Sequence, residues 1–321
     1  MRTTVLDATT LETLVSAAVA APSIHNTQPW RFRLDSDALT LEIRAATRRR
    51  LRHIDPAGRA LHLSVGCAVL NLRIAIEHFG WEPVPRLLPR PDEPDLLATV
   101  RLGGSARTSS YTSLYDAVWR RHSSRFPFSE RPLPTAVITE LTEAAHAEGA
   151  RLHHLSPHRA DSVLRLTREA EQRNTTDTDR ARESRRWVTE GNGTGLGMPS
   201  EVLGPQDYRE HIPMRDFGAH RHAHPARSFE QQPSIAVLST AHDRRTDWLR
   251  AGQAVERVLL VATAYGIRAS LLHQALEWPD LAERLMPSPD THPSHAQMVI
   301  RLGYGPEGPA SPRSNKSVPA R

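Results

Sequence analysis

Residues 66–80 read GCAVLNLRIAIEHFG, an apolar stretch that begins and ends with glycine. The same pattern returns at residues 252–266, which read GQAVERVLLVATAYG and keep the same spacing between the two glycines. Apolar side chains recur in both copies at the i, i+3, i+4 and i+7 spacing of an amphipathic helix. Each copy is therefore predicted to be a helix that ends at its second glycine. In the second copy Leu260 and Val261 widen the apolar face, which predicts burial on most sides.

A strand follows each of these helices, after a connection that contains proline. Both strands alternate in character and end in Arg-Leu-Gly, at residues 101–103 and 301–303. A helix and a strand with the same closing residues thus occur twice in the same order. This internal repeat predicts two related structural units in one chain.

The two copies differ in what precedes them. The first follows a predicted helix at 11–21 and a strand at 39–43. The second follows a predicted helix at 135–148, which Thr135 can cap, and a strand at 152–155. The two units are therefore expected to be unequal.

A less regular stretch, residues 180–227, lies between the last of these strands and the second helix copy. It is rich in glycine, and His220, His222 and His224 stand at alternate positions. Three such histidines could bind a metal, but no H-E-x-x-H pattern or placed carboxylate supports one, so a long loop over a surface or a site is favoured. The tail from Pro306 is rich in proline and serine and is expected to lie extended.

The charge of the chain suggests an acidic partner but does not establish one. The net charge is +5 and the isoelectric point is near 9.9. Of the 41 basic residues only Lys316 is a lysine, and acidic residues are interspersed along the whole chain. Zinc-finger spacing, an RNP-like pattern and a basic region followed by heptads are all missing. We therefore expect no nucleic acid as partner.

The apolar stretches, such as 258–264, are much shorter than the roughly 20 residues of a membrane-spanning helix. The amino terminus also lacks the pattern of a signal peptide. These features predict a cytoplasmic protein that does not enter a membrane. The single cysteine, Cys67, excludes an intrachain disulfide and is expected to be a buried, inert thiol.

Two short segments carry side chains suited to ligand binding. Arg121, Ser123 and Arg125 alternate, so in an extended chain two guanidinium groups and a hydroxyl face the same way, as a phosphate requires. The alternative is a solvated basic run. Residues 21–30 read APSIHNTQPW, a turn of short amides and hydroxyls that can bind the polar edge of a planar ring. The alternative is a turn that only stops the preceding helix.

Other catalytic motifs are missing from the sequence. The glycines at 191–197 do not form G-x-G-x-x-G after a strand, which disfavours a dinucleotide fold. Neither a P-loop nor a G-x-S-x-G nucleophile elbow is present.

The two segments resemble motifs of the nitroreductase superfamily of FMN-dependent oxidoreductases, most closely its Acg-like branch of fused, two-unit proteins. The turn at 21–30 is similar to the A-P-S-x-x-N-x-Q-P-W sequence of the family. Residues 121–125, RHSSR, are similar to its R-[RH]-S-x-[RK] phosphate motif. The resemblance extends over residues 11–316.

The resemblance implies an α+β, nitroreductase-like fold in which two unequal units, residues 1–108 and 109–321, form an intramolecular pseudo-dimer. The first unit keeps the turn and the second keeps the basic motif, which implies one complete FMN site and one degenerate site. Residues 180–227 would be a lid-like insertion. The monomer would act as a pseudo-dimer, and a further homodimer stays open.

The family pattern also assigns roles to individual residues. Arg121, His122, Ser123 and Arg125 would hold the phosphate and ribityl chain of FMN, and Pro22, Ser23 and Asn26 would contact its ring and ribityl chain from the other unit. Leu272 and His273 would lie beside flavin N5, where simple members have a Pro-x-Glu-Gly-like sequence that this chain lacks. Arg313, in the tail, would be a further phosphate partner.

The activity implied is hydride transfer from NAD(P)H through FMN to a nitroaromatic, a quinone or another small acceptor. Because this chemistry belongs to the cofactor, no protein acid, base or nucleophile is required. The alternative is a lid-closed protein that binds or sequesters flavin with little turnover, if residues 187–205 cover the ring.

Overall fold

The computed structural model describes residues 6–105, 112–188, 195–217, 225–286 and 294–314. The expected boundary near residue 108 and the histidines at 220, 222 and 224 lie outside these ranges. The described helices are α1 (Ala8–Val19), α2 (Arg59–His78), α3 (Tyr115–Arg120), α4 (Thr135–Ala147), α5 (Pro157–Thr176), α6 (Thr178–Arg186), α7 (Arg245–Ala264) and α8 (Pro279–Leu285). The described strands are β1 (Trp30–Asp35), β2 (Thr40–Ala45), β3 (Trp81–Leu87), β4 (Leu96–Ser105), β5 (Arg151–His154), β6 (Ser234–Thr240), β7 (Arg268–Leu272) and β8 (His295–Gly303).

These strands form two antiparallel sheets with the same topology. The first has the order β1-β2-β4-β3 and the second the order β5-β6-β8-β7. In each unit one long helix, α2 or α7, connects the second strand to the third. The internal repeat is thus confirmed in the tertiary structure, and the chain has an α+β fold.

The two repeat helices pack against each other at the centre of the molecule. Their side chains join residues of both sheets in one continuous hydrophobic core. The helices cross at Gly66 and Gly252, where a Cβ added to either glycine would lie 2.9 Å from the Cα of the other. Both helices end as predicted, since Gly80 and Gly266 follow them with φ of 92° and 69°.

Three expectations about the helices need correction. The first helix begins at Ala8, where Asp7 caps it through a 2.7 Å bond from Thr10 N. Pro134, not Thr135, is the N-cap of α4, because the helix already includes Thr135. The insertion is also more regular than expected, since α6 extends into it as far as Arg186 and a short 3-10 turn follows at Ser200–Val202.

The statement that every apolar stretch is too short to span a membrane was wrong for α2. This helix has the length and composition of a membrane span, although 89% of its most apolar window is buried inside the protein. Its apolar character follows from its central position between the two sheets. The predicted burial of Cys67 in this helix is confirmed: its Sγ donates to Gly252 O at 3.1 Å, and burial raises the pKa of the thiol well above its usual value.

Candidate functional site

Two adjoining cavities lie between the first unit, the second unit and the insertion. The first encloses about 910 Å³ of space, part of it open to solvent, and the second about 410 Å³. Pro22, Ser23, Ser123 and Arg125 line both cavities and therefore mark their junction. A ligand with two chemically different ends could occupy the pair.

All ten candidate residues from the sequence line one or both cavities, although they are up to 291 positions apart (22 to 313). Residues of the basic motif, of the turn at 21–30 and of the tail line the second cavity, whereas Leu272 and His273 line the first cavity alone. The fold thus brings the two motifs together. Their role toward a cofactor stays a prediction. The ten residues are Pro22, Ser23, Asn26, Arg121, His122, Ser123, Arg125, Leu272, His273 and Arg313.

The second cavity is strongly basic. Arg121, His122, Arg125 and Arg313 line it, and no carboxylate is among its described lining residues. Nε and Nη1 of Arg121 and Nε of Arg313 are buried without a hydrogen-bond partner. Burial, reinforced by the neighbouring Arg121, lowers the pKa of Arg313 to about 9. Such a cluster is costly without a counter-charge, so the cavity suits an anion with several acceptor oxygens.

The local structure explains how the basic motif reaches this cavity. The helix α3 ends at Arg120, and the next residue is extended, with φ of −69° and ψ of 123°. Ser124 N then donates to Ala269 O at 2.8 Å, which holds the motif beside β7 of the same unit. The backbone is therefore extended at Arg121, and Ser123 forms an isolated parallel bridge with Ala269.

A buried carboxylate stands behind the cavity. Oε1 of Glu256, on α7, lies 3.4 Å from Nε of Arg121, and the Glu256 side chain is fully buried. Burial raises the pKa of Glu256, while Arg121 opposes this shift. The sequence analysis missed this residue, although a single acidic residue on the buried face of an apolar helix was a usable signal.

The turn at residues 21–30 has a strained backbone. His25, Asn26 and Gln28 have φ of 48°, 52° and 46°, in the left-handed region that residues other than glycine seldom adopt. Ser23 Oγ accepts a hydrogen bond from Gln28 N at 2.9 Å and closes the turn. Strain of this kind persists only where surrounding contacts fix it, as they do at ligand sites.

Asn26 connects three parts of the chain. Its amide nitrogen donates to Gly197 O of the insertion at 2.7 Å and to Pro312 O of the tail at 2.9 Å. Its Oδ1 accepts from Nη1 of Arg313 at 3.0 Å. The side-chain amide of Asn26 is therefore occupied by protein at both its nitrogen and its oxygen.

The first cavity is lined by apolar side chains with a few polar groups among them. The sequence analysis missed His25, Arg59, Arg215 and Phe217 at this cavity. The His25 ring packs edge-on against Phe217, with centroids 5.2 Å apart. Burial lowers the pKa of His25 and of His273 well below the usual value, so both imidazoles are neutral near pH 7. His25 lies within the recognised turn, but Arg59 and Arg215 have no local signal in the sequence.

The insertion is attached to both units. Glu183, on α6, accepts hydrogen bonds from the backbone nitrogens of Arg52, His53 and Ile54 in the first unit, at 2.6 to 2.9 Å. Gly195 O and Gly197 O bind the side chains of Gln28 and Asn26. Arg125 donates to Val202 O at 3.1 Å, and Met198, Val202, Leu203 and Phe217 form a small hydrophobic cluster of their own.

Glu277 attaches the insertion to the second unit. Its carboxylate pairs with Arg215 and lies 3.4 Å from Nη1 of Arg180, and it accepts a 2.9 Å bond from Asn174 Nδ2. Burial raises the pKa of Glu277 to about 7, although Arg215 opposes the shift. The carboxyl group therefore changes charge near neutral pH.

Opening of the insertion is expected to become easier as the pH rises. In the closed form the pKa of Glu277 is about 7, whereas an exposed carboxyl returns toward 4.5. The closed form thus binds more protons between these values, and the opening equilibrium should increase by up to about tenfold per pH unit within this window. Hydrogen exchange of the α6 amides, corrected for the pH dependence of the intrinsic exchange rates, should measure this rise in the opening equilibrium. Glu277→Gln should remove the dependence, and an unchanged dependence in that variant would contradict the assignment.

No family model matches the chain. A Mycobacterium tuberculosis (strain H37Rv) protein named "Putative NAD(P)H nitroreductase Rv3131" is 31% identical over 308 residues, covering 95% of this chain and 88% of that protein. The acg protein of the same organism, also named an NAD(P)H nitroreductase, is 27% identical, covering 98% and 96%. A solved nitroreductase with bound FMN from Bacteroides fragilis is 15% identical, with a TM-score of 0.36, covering 63% of this chain and 91% of that one.

The relative at 31% identity matches this chain over nearly its whole length. The chain belongs to the nitroreductase superfamily, within its Acg-like branch.

Proposed function

We propose that this protein is an FMN-binding oxidoreductase that transfers hydride from NAD(P)H to a small acceptor such as a nitroaromatic or a quinone. One observation carries the proposal. A basic cavity without described carboxylates adjoins a larger cavity with mainly apolar walls, and residues of both family motifs line the junction. This division matches the phosphate and the ring of one flavin mononucleotide.

The residues present fit the cofactor. A phosphate would supply acceptors for Nη1 of Arg121 and Nε of Arg313. It would also add a counter-charge to that of Glu256, which lies 3.4 Å from Nε of Arg121. Leu63, Val255 and Leu271 give the first cavity apolar surface for a planar ring. Ser123 and Ser23 stand between the two ends, where the hydroxyls of the ribityl chain need polar partners.

Bound FMN would supply the hydride chemistry. The protein would hold the phosphate through the basic motif and the tail, and orient the ring between the two units. The insertion would restrict access of water and reactants, because Met214, Arg215 and Phe217 line the cavity from its side. No described side chain is needed as a nucleophile.

One FMN per chain is expected, not two. Residues 20–29 form the turn between α1 and β1, whereas only residues 148–150 separate α4 from β5. At that place Glu148 pairs with Arg73 at 2.6 Å and with Arg257 at 2.9 Å, so ion pairs fill the region. Flavin released by denaturation should therefore reach one equivalent of protein after saturation with FMN and gel filtration. Two equivalents would show that the second site is also competent.

A second candidate function is flavin binding or sequestration with little turnover. The contacts of the insertion with Asn26, Gln28 and Arg125 favour it, because they close the site from the side of the phosphate and the turn. The two candidates share the FMN site and differ only in access.

Turnover distinguishes the two candidates. Under the sequestering alternative, NADPH oxidation with menadione should be slow in the unaltered protein. It should rise by about tenfold or more in a Glu183→Ala and Glu277→Ala double variant, because two of the attachments of the insertion are then lost. Rapid turnover by the unaltered protein would refute the closed alternative and favour the oxidoreductase. Arg182→Ala, at an exposed position of α6, is the control.

A further inference from the structure

The first cavity has a charge that a neutral flavin ring does not explain. Arg59, Arg125 and Arg215 line it together with His25 and His273, and no carboxylate is among its described lining residues. Arg125 also lines the basic cavity, where a phosphate would balance it. Arg215 pairs with Glu277. Among these three arginines, Arg59 makes no direct ion pair with a described residue, and the carboxylates that partly balance its charge, Asp55, Asp243 and Glu277, lie beyond ion-pair distance.

Arg59 is held in place by neutral groups. It is the first residue of α2, and its Nη1 donates to Gln297 O at 2.7 Å and lies 3.3 Å from Gln297 Oε1. No carboxylate of the described residues lies within ion-pair distance of it. Arg59 is half-buried, and a guanidinium group whose hydrogen-bond partners are neutral carbonyls retains its attraction for an anion.

Two imidazoles at the first cavity have ring nitrogens that make no hydrogen bond. His25 is 4% exposed and neither of its ring nitrogens has a hydrogen-bond partner. Nε2 of His273 is buried and makes no hydrogen bond, and it lies 3.6 Å from Oε1 of Glu277. The two rings are edge-on to each other, with centroids 6.0 Å apart. A neutral imidazole can donate one hydrogen bond, so the pair can complete the coordination of an oxygen ligand.

A third and larger cavity, of about 2550 Å³ and partly open to solvent, adjoins the first and shares Arg59, Ala60 and His273 with it, but not His25. Asp55, Asp243, Glu277 and Glu283 also line this third cavity. Arg59 therefore lies where a reactant that enters through the third cavity would reach the first cavity. The basic cavity, which would hold the phosphate of FMN, does not include this residue.

We infer that Arg59, His25 and His273 form an anion subsite that binds a carboxylate group on the electron acceptor. The inference rests on the proposed function and extends it. The acceptor class is an aromatic compound that bears a carboxylate. Its ring would lie beside the flavin in the first cavity, and its carboxylate would pair with Arg59. A guanidinium group and a carboxylate form a bidentate, charge-assisted pair.

The test compares 4-nitrobenzoate with 4-nitrobenzamide, which have similar shape and differ in charge. Each is titrated into the oxidised FMN-loaded protein, and the dissociation constant is taken from the change in the visible flavin spectrum. The unaltered protein should bind the carboxylate at least about tenfold more tightly, as expected for hydrogen bonds to a charged group. Arg59→Gln should reduce this preference to about twofold or less, and Arg59→Lys should retain part of it.

Controls separate this inference from the proposed function. Arg101→Gln makes the same change in net charge at an exposed position and should leave the preference unaltered. A protein that takes up no FMN would overturn the proposed function and this inference with it. A protein that binds FMN but shows no carboxylate preference, or keeps it in Arg59→Gln, would overturn the subsite alone. If Arg59→Gln does not fold, the variants His25→Phe and Arg59→Lys replace it in the test. A carboxylate preference that is unaltered in both of them would overturn the subsite.

Discussion

The Arg121→Gln variant is expected to purify without FMN under conditions in which the unaltered protein purifies yellow. Arg121 is 4% exposed, and two of its guanidinium nitrogens lack hydrogen-bond partners beside the basic cavity. Loss of a buried charge-assisted contact with phosphate should weaken FMN binding by about 100-fold or more. The measurement is the visible spectrum of the purified protein, followed by titration with FMN.

Misfolding could imitate this result, because Arg121→Gln leaves Glu256 buried without its cation. The double variant Arg121→Gln and Glu256→Gln removes both charges and should recover the thermal stability of the protein. It should still fail to bind FMN. Binding by the double variant with the affinity of the unaltered protein would show that Arg121 does not hold the phosphate.

The Gly252→Ala variant should lose a large part of its folding stability. The added Cβ would meet the backbone of α2 at Leu63 and lie 2.9 Å from Cα of Gly66. Backbone atoms cannot change rotamer, so the two central helices must separate. Overpacking in a core costs about 1 to 3 kcal/mol and more where nothing can adjust. Denaturant unfolding would measure this loss as a lower transition midpoint, with an unchanged dependence of the free energy of unfolding on denaturant concentration.

Gly66→Ala should behave in the same way, because its Cβ would meet the backbone of α7 at Leu249. The matched control is Gly104→Ala, at a glycine whose added Cβ would have no atom within 4 Å. FMN binding should fall together with stability in the two core variants, since α7 also carries Glu256. A Gly252→Ala protein as stable as the control would show that the helices do not cross at these glycines.

The elements that the sequence predicted well are those whose signals are local. The repeat helices, their terminal glycines and the strands after them depend on apolar periodicity and on turn chemistry within a few residues. The basic motif and the turn at residues 21–30 could be recognised for the same reason. Their proximity was expected from the family resemblance, because residues 22 and 121 have no local relation.

Local signals failed where burial depends on distant partners. No element was predicted between residues 155 and 180, yet this polar stretch forms α5, whose one apolar face packs on the second sheet in a separate cluster. α2 was underestimated as an apolar stretch because polar residues such as Asn71 interrupt it. Asn71 is nonetheless buried at the interface of the two repeat helices.

The amino-acid sequence by itself determined two related units, the repeat helices with their glycines, and the two motifs that characterise the family. Only the tertiary structure decided which charges meet at the site. Glu256 behind Arg121, Arg59 beside His25 and His273, and Glu277 between Arg180 and Arg215 join residues from different parts of the chain. The physical reason is that a local pattern fixes how a segment folds, whereas the partner of a buried charge is fixed by the packing of segments far apart in sequence.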